Sequence, residues 1–170
     1  GKGLSDDSCL QIARKIIYYN ITSDITSNYK PNEIDVNSSL IETIKILEKI
    51  SVIDNTINNS IKSLDKWMNL ELLNLKDNLR DRIANDSFKL CHGDLHTENI
   101  YFEDGDFQFF DCLDFDKSLM MIDPLNDLLA LVVDLLSSKN RSAANQLLNN
   151  WLKITGDYES MVFFKLYSVY

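Results

Sequence analysis

Glycine and proline are scarce in this sequence, which has five glycines and two prolines among its 170 residues. Linkers and disordered tails are rich in these residues, so the sequence offers no obvious domain boundary and no disordered tail. Hydrophobic residues make up 45% of the chain and charged residues 25%, as in an ordinary folded protein. We therefore expect residues 1–170 to form a single domain that buries its own hydrophobic core.

Cysteine is also rare, and the three that are present, Cys9, Cys91 and Cys112, are odd in number and widely spaced. This pattern argues against a disulfide framework. The longest uninterrupted apolar run covers residues 128–133, six in all, whereas a membrane helix needs about 20. The sequence does not open with a basic segment followed by an apolar one, so we expect no signal peptide. These features predict a cytoplasmic protein.

Positive charge is in deficit. The chain has 17 basic and 26 acidic residues, a net charge of −9, and it has no dense run of Lys or Arg. Nucleic acids and anionic membranes attract basic surfaces, so we expect neither as a partner. An acidic surface suits a cationic small molecule, although most acidic surfaces only keep a protein in solution.

The N-terminal half is predicted to be helical, because apolar residues recur at steps of three and four. A first helix should follow the polar residues 5–8, which can supply a capping oxygen. A loop containing Pro31 is expected over residues 22–33. The apolar stripes are Leu10, Ala13, Ile16 and Ile17; Leu40, Ile44, Leu47 and Ile50; and Ile61, Leu64, Met68, Leu72, Leu75, Leu79 and Ile83. We expect all three stripes to pack in the core.

The pattern changes near residue 87, where short apolar segments predict strands. Residues 88–91 should form one short strand that leads into a loop. Residues 100–102 and 107–111 are predicted to pair as a hairpin, because the Asp104-Gly105 sequence between them favours a tight turn.

Asp123 and Pro124 predict the start of another helix, with Asp123 as the N-cap and Pro124 at the first helical position. Residues 125–136 are apolar almost all round, which is typical of a buried helix. Two more helices are expected over residues 141–154 and 157–170. The whole pattern predicts an α+β, mostly helical fold with a small hairpin late in the chain.

His92-Gly93-Asp94 is followed by Asn99, five residues after the Asp, and this is the spacing of a kinase catalytic loop. In such a loop the Asp accepts or orients the proton of the attacking hydroxyl. The Asn oxygen reaches a divalent metal ion on the phosphates. A His-Gly-Asp sequence alone is usually only a turn, so it is the ordered set of later features that favours chemistry.

A further carboxylate, Asp111, ends the second predicted strand of the hairpin, twelve residues after Asn99. A kinase has its main metal-binding Asp at the corresponding point. Mg²⁺ prefers oxygen ligands and keeps several waters, so one carboxylate and one amide oxygen suffice beside the phosphate oxygens. Asp114, three residues later, is an alternative ligand. We favour Asp111 because it directly follows the aromatic strand.

The motif His92-Gly93-Asp94-Leu95-His96-x-x-Asn99 resembles the signature of the aminoglycoside phosphotransferase and choline-kinase-like superfamily. Residues 109–115, Phe-Phe-Asp-Cys-Leu-Asp-Phe, resemble its metal-binding segment, and residues 122–129, Ile-Asp-Pro-x-x-Asp-Leu-Leu, resemble its helix-start segment. The sequence is most similar to a bacterial branch whose members are often joined to a P-loop ATP-binding domain. The similarity in motif covers residues 90–136.

This resemblance implies the C-terminal lobe of a protein-kinase-like fold, in which a small β-hairpin carries the metal-binding Asp. It also implies kinase activity: ATP- and Mg²⁺-dependent transfer of a phosphoryl group to the hydroxyl of a small molecule. The implied site has Asp94 as the catalytic residue, Asn99 and Asp111 as the metal ligands that hold the cofactor, His92 and His96 as structural residues of the loop, Asp123 at the helix start, and Asp127 as support for the loop backbone.

Members of this superfamily begin with a β-rich lobe that carries a phosphate-covering loop and a Lys for ATP. No segment of this sequence matches that lobe, and Gly1-Lys2-Gly3 is too short for a Walker loop. We therefore expect an N-terminal lobe or a fused P-loop domain as a partner of this chain. Two alternatives remain. One is a catalytically inactive kinase-like module for binding or interaction; the other is a zinc site of Cys91, His92, His96 and Cys112, whose spacing matches no zinc motif.

Overall fold

The computed structural model describes residues 4–23, 45, 49, 58–115 and 117–169. This part of the chain is mostly helical, with two small antiparallel sheets of two strands each. The prediction of an α+β, mostly helical fold is therefore confirmed. The second apolar stripe, which begins at Leu40, lies outside the described residues, as does most of the loop expected around Pro31.

The first helix, α1, spans Asp6–Ser23. Its start is set by Ser5, whose Oγ accepts a hydrogen bond from the backbone N–H of Ser8 at 3.1 Å. The predicted cap is confirmed, because this bond satisfies one of the N–H groups that the first helical turn leaves unpaired. The helix continues through Thr22 and Ser23, the first two residues of the expected loop.

The third apolar stripe folds as two helices, α2 over Asn58–Asn74 and α3 over Lys76–Ala84. Leu75 separates them with φ −94° and ψ 5°. Its N–H still donates to the carbonyl of Glu71 at 2.9 Å, so the break is a local distortion of the helical path and not a loop.

Two short strands flank the loop that contains the candidate site. Strand β1, Lys89–Leu90, pairs with a later strand at Met121–Ile122, with Lys89 opposite Ile122. The predicted hairpin is confirmed as β2, Ile100–Glu103, and β3, Asp106–Phe109. Its turn residues Asp104 and Gly105 have φ 51° and 85°, the two positive values that a tight hairpin turn requires.

Strand β3 ends at Phe109, two residues before its predicted end at Asp111. Asp111 has φ 60°, a left-handed conformation that cannot continue a strand. A short helix, α4 over Lys117–Met120, then leads directly into β4, Met121–Ile122.

The helix predicted after Asp123 is confirmed as α5, Pro124–Ser137. The Asp123 side chain accepts a hydrogen bond from the Leu125 N–H at 3.0 Å, and Pro124 occupies the first helical turn. Helix α6 follows at Arg141–Thr155.

A single helix over residues 157–170 was predicted wrongly. The chain forms a 3₁₀ turn at Glu159–Phe163 and a short helix, α7, at Phe164–Tyr167. The cause is local: the Asp157 carboxylate accepts the Ser160 N–H at 3.3 Å, and the Ser160 hydroxyl donates to the Asp157 carbonyl at 2.7 Å. Such side-chain bonds compete with α-helical ones and tighten the turn.

Helix α5 lies at the centre of the core and buries most of its surface. Ala130, Val133 and Leu136 form an exposed stripe along it, so the burial predicted from its apolar sequence is only partly confirmed. It packs on α6 and α7, and α6 packs on α1. Fully burying one Leu or Phe side chain stabilises a fold by about 1.5–3 kcal/mol. The buried side chains of these four helices include Ile12, Ile16, Leu125, Leu128, Leu129, Leu131, Leu147, Trp151 and Leu166. Within the described residues, no helix combines the length and hydrophobicity needed to cross a membrane.

Candidate active site

The loop of residues 91–99 leaves β1, turns sharply at Gly93 and ends in a 3₁₀ turn at Thr97–Asn99. Gly93 has φ 84°, and a Cβ atom at this position would lie 3.1 Å from both the Leu113 Cδ1 atom and the Leu119 carbonyl oxygen. A side chain here would require a strained backbone and would also contact the fixed Leu119 carbonyl and the Leu113 side chain. The His-Gly-Asp turn therefore requires glycine at its centre.

The start of the loop is held by Asp127, in the first turn of α5. Its Oδ2 accepts the His92 N–H at 3.1 Å, and its Oδ1 accepts the Gly93 N–H at 2.9 Å. The carboxylate is only 2% exposed. Burial raises its pKa, and the N–H groups of Gly93 and His92 oppose that rise. The support for the loop backbone that the resemblance implies for Asp127 is thus present.

The end of the loop is held by Asp134, which was not among the predicted site residues. Its Oδ2 accepts the backbone N–H of Thr97 at 2.8 Å and also accepts the Thr97 hydroxyl. Asp127 and Asp134 are seven residues apart, two helical turns, and so lie on one face of α5. Two carboxylates at this spacing in an otherwise apolar helix are the sequence signal that could have identified Asp134.

His92 is 1% exposed and uses both ring nitrogens inside the loop. Its Nδ1 accepts the Asp94 N–H at 3.3 Å, which leaves Nε2 to donate to the Phe110 carbonyl at 2.8 Å. The ring also lies near the rings of Tyr19 and Phe109. His92 therefore links the loop to the end of the hairpin, which is a structural role.

Asn99 is 5% exposed, and its Nδ2 donates to the Asp94 carbonyl at 2.9 Å. This bond leaves the amide oxygen of Asn99 without a hydrogen-bond partner among the described residues. The Phe110 N–H donates to the Asn99 carbonyl at 3.2 Å, so the hairpin register continues by one more pair. Asp111 is the next residue after that pair, which brings it to the same end of the hairpin as Asn99.

The backbone around Asp111 is tied to the loop on both sides. The Phe110 carbonyl accepts from His92 Nε2, and the Leu113 N–H donates to the His92 carbonyl at 3.2 Å. Asp111 is exposed, and its carboxylate has no partner among the described residues. Asp114 is exposed as well but lies in the turn beyond Leu113, past the second tie. The contacts thus place Asp111, more directly than Asp114, beside the loop.

Asp94 itself is uncommitted. Its side chain is 51% exposed, and its Oδ2 lies 3.7 Å from His96 Nε2, which is too far for a hydrogen bond. His96 is partly exposed and lies near Asp94 without bonding to it. The structure therefore brings Asp94, Asn99 and Asp111 to one end of the hairpin, with their oxygens available.

Asp123 lies outside this group of residues. It belongs to a buried ion cluster, defined here as Arg82, Asp123, Asp157 and the hydroxyl of Tyr167. Arg82 bonds both oxygens of Asp123, one of them through Nη2 at 3.0 Å, and both oxygens of Asp157 at 3.0 and 2.8 Å. The Tyr167 hydroxyl donates to Asp123 at 3.4 Å.

Burial acts to lower the pKa of Arg82, but the carboxylates of Asp157 and Asp123 outweigh it and raise that pKa. Burial raises the pKa of Asp123, and Arg82 opposes that rise. This cluster was not predicted from the sequence. Its members come from four separate segments, so no local pattern identifies them.

Among the described residues, no three His, Cys, Asp or Glu side chains are grouped so as to hold a metal ion. The zinc alternative therefore has no ligand set here, and both nitrogens of His92 are already engaged. A magnesium ion needs fewer protein ligands. The free amide oxygen of Asn99 and the unpartnered carboxylate of Asp111 are of the type that it prefers.

No protein-family model, curated protein or solved structure matches this chain. The functional argument therefore rests on the contacts of the loop and the hairpin.

A groove of about 570 Å³ lies between the start of α1 and helix α6, with Leu10 and Gln146 among its lining residues. None of the predicted site residues lines it, so it is not part of this site.

Proposed function

We propose that this chain is the catalytic lobe of a phosphotransferase of the aminoglycoside phosphotransferase and choline-kinase-like superfamily. It transfers a phosphoryl group from ATP, with Mg²⁺, to the hydroxyl of a small molecule in the cytoplasm. The observation that carries the proposal is a pair of contacts: Asp127 fixes the backbone on which the free Asp94 is carried, and the hairpin register brings Asn99 and Asp111 beside it.

Asp94 is suited to receive the acceptor hydroxyl. Its carboxylate has no hydrogen bond to give up, and its own N–H is fixed by His92. A hydroxyl that donates to Asp94 would be held in one orientation, which favours attack on the phosphorus atom. His96 Nε2 lies 3.7 Å from that carboxylate, at the edge of the proposed site, and makes no hydrogen bond to it.

The Asn99 amide oxygen and the Asp111 carboxylate would hold Mg²⁺, which supplies neutralisation of the charge on the transferring phosphates. Because Asn99 Nδ2 donates to the Asp94 carbonyl, the amide oxygen of Asn99 is the atom that would bind the metal ion. The chain itself contributes orientation and metal binding more than a strong base, because the proposed catalytic and metal-binding groups are carboxylates and an amide oxygen without a hydrogen-bond partner among the described residues.

The acceptor is proposed to be a cationic small molecule. The chain has a net charge of −9, and three exposed carboxylates, Asp94, Asp111 and Asp114, lie in or next to the site. An amine on the acceptor would be attracted to this region.

The decisive experiment is Asp94→Asn in the full-length protein, assayed for ATP turnover with a panel of amine-bearing alcohols. We expect turnover to fall by about 10²–10⁴-fold, because a positioned proton acceptor is lost. The unfolding midpoint should stay unchanged, since the carboxylate is exposed and unbonded. Asp104→Asn in the hairpin turn is the matched control and should retain full turnover, because Asp104 is also an exposed carboxylate and Asn tolerates its positive φ.

Unchanged turnover in Asp94→Asn would contradict the proposal. The inactive-module alternative makes a different prediction: no ATP turnover with any acceptor and no Mg·ATP-dependent shift of the unfolding midpoint in the wild-type protein.

A further inference from the structure

Helix α5 contacts the catalytic loop at both of its ends. Asp127 accepts the N–H groups of His92 and Gly93 at the start, and Asp134 accepts two donors of Thr97 at the end. The two contacts support residues with different proposed roles. Asp127 lies next to the segment that carries Asp94, and Asp134 lies next to the turn that carries Asn99.

The turn at Thr97–Asn99 has no cap of its own. The residue before it, His96, makes no capping bond with its side chain. The first N–H groups of such a turn lack partners within it, so an acceptor must come from elsewhere. Asp134 supplies that acceptor from a different helix, 37 residues away along the chain.

The same turn fixes Asn99. The Asn99 N–H donates to the His96 carbonyl at 3.0 Å, and the Asn99 side chain donates to the Asp94 carbonyl at 2.9 Å. A shift of Thr97 would therefore move the backbone of Asn99 and the direction of its amide oxygen. Asp94 would be less affected, because Asp127 holds its side of the loop independently.

We propose that Asp134 is a positioning residue for Asn99: by holding Thr97, it sets the turn that presents the Asn99 amide oxygen to a divalent metal ion. This inference rests on the proposed function, in which Asn99 is a metal ligand. It assigns the two carboxylates of α5 to separate tasks, Asp134 to the metal side and Asp127 to the hydroxyl side.

The test uses Mn²⁺ as the probe and the NMR signal of the Asn99 side-chain amide as the readout, in the full-length protein. Asn99→Ala identifies the signal, and its broadening during a Mn²⁺ titration gives the dissociation constant. We expect Asp134→Ala and Thr97→Val to weaken Mn²⁺ binding by about 10–100-fold, the usual effect of losing a group that orients a metal ligand. Thr97→Ser keeps both donors to Asp134 and should bind Mn²⁺ as tightly as the wild-type protein.

Glu98→Gln is the matched control, because it removes an exposed charge from the same turn without touching the Asp134 contact. It should change Mn²⁺ binding by no more than about twofold, as expected for a screened surface charge. Thr97→Val removes only one of the two bonds, so it keeps the test valid if Asp134→Ala fails to fold.

Wild-type Mn²⁺ binding in the folded Asp134→Ala or Thr97→Val variants would overturn this inference, even if their stability fell, since Asp134 would then be only a cap. That result would leave the proposed function standing. If the wild-type protein shows no Mn²⁺ broadening of the Asn99 signal, the proposed function is overturned and this inference with it.

Discussion

Four aspartates in and around the candidate site fall into two groups that differ in what surrounds them. Asp123 and Asp127, at the start of α5, are buried, and every carboxylate oxygen accepts hydrogen bonds. Asp94 and Asp111, at the end of the hairpin, are exposed and accept none from the described residues. A buried carboxylate is tolerated only when it is bonded, so the first group is committed to the fold. The second group is available to bind a ligand.

The backbone of the exposed Asp111 is also held by its surroundings. Asp111 has a left-handed φ of 60° that no hydrogen bond of its side chain explains. Strain of this kind persists where the surrounding structure fixes it, and here Phe110 and Leu113 are both bonded to His92. The buried Asp127 thus stabilises a loop that, through His92, holds Asp111 in its left-handed conformation.

Removing the cation of the buried ion cluster should have the largest effect. Arg82→Met leaves Asp123 and Asp157 without their common partner, and we expect the free energy of unfolding to fall by about 3–5 kcal/mol. Urea denaturation measures this change. Arg80→Met, on the same helix but 53% exposed, is the control and should cost less than about 1 kcal/mol. Equal effects at the two positions would show that the cluster does not stabilise the fold.

A direct comparison of the two groups is Asp127→Ala against Asp94→Ala. The first change leaves two loop N–H groups without an acceptor, and we expect a loss of about 2–3 kcal/mol. The second removes an unbonded, exposed side chain and should change stability by less than about 0.5 kcal/mol. Amide hydrogen exchange at His92 and Gly93 should accelerate only in Asp127→Ala. Faster exchange in both variants would mean that Asp94 also supports the loop.

Two glycines allow the close packing of the loop to be measured. Gly156 ends α6 with φ 70°, and a Cβ atom there would have no other atom within 4 Å, whereas Gly93 has φ 84° and two contacts at 3.1 Å. Gly156→Ala should cost about 1 kcal/mol, from backbone strain alone. Gly93→Ala should cost about 2 kcal/mol because steric contact adds to the strain. The difference between their unfolding free energies, measured in urea, isolates the contact; equal losses would argue against it.

Which features of the structure could be predicted from the sequence depends on how far apart along the chain the interacting residues lie. The Asp104-Gly105 turn and the Asp123 cap depend on neighbouring residues, and both are correctly predicted. The contact of Arg82 with Asp123 spans 41 residues, and that of Thr97 with Asp134 spans 37. Such pairs form only once the helices pack, so neither could be derived from local pattern.

For the candidate site, the hairpin spacing predicted that Asn99 and Asp111 lie at one end of the hairpin, because a hairpin register also fixes the position of the residues directly after it. The roles of Asp94, Asn99 and Asp111 in catalysis and metal binding stay predictions. The resemblance also supplied the contact of Asp127 with the loop. It did not supply Asp134. The helix expected from Asp157 failed for a local reason, the bonds between Asp157 and Ser160, although the Asp157 carboxylate is also engaged by the distant Arg82.

The smallest effect concerns a carboxylate that is exposed yet has a bonding partner. It tests whether exposure or bonding decides if a carboxylate contributes to the stability of the fold. Asp106 is 54% exposed and lies 2.6 Å from Lys15 Nζ, which lowers its pKa by hydrogen bonding and by charge. A lowered pKa means that the folded state binds a proton less readily than the unfolded chain. The stabilisation is therefore present above about pH 4 and lost as the pH falls through the folded-state value.

Lys15→Met should accordingly lower the stability slightly at pH 7 and by progressively less toward pH 3, and added salt should shrink the difference at pH 7. Asp106→Asn should show the same small loss, and the double variant should lose no more than either single one, because both remove one interaction. Unfolding midpoints measured across this pH range check the sign. A difference that grows toward acid pH would contradict the assignment, whereas the expected trend would show that bonding, and not burial, is what commits a carboxylate to the fold.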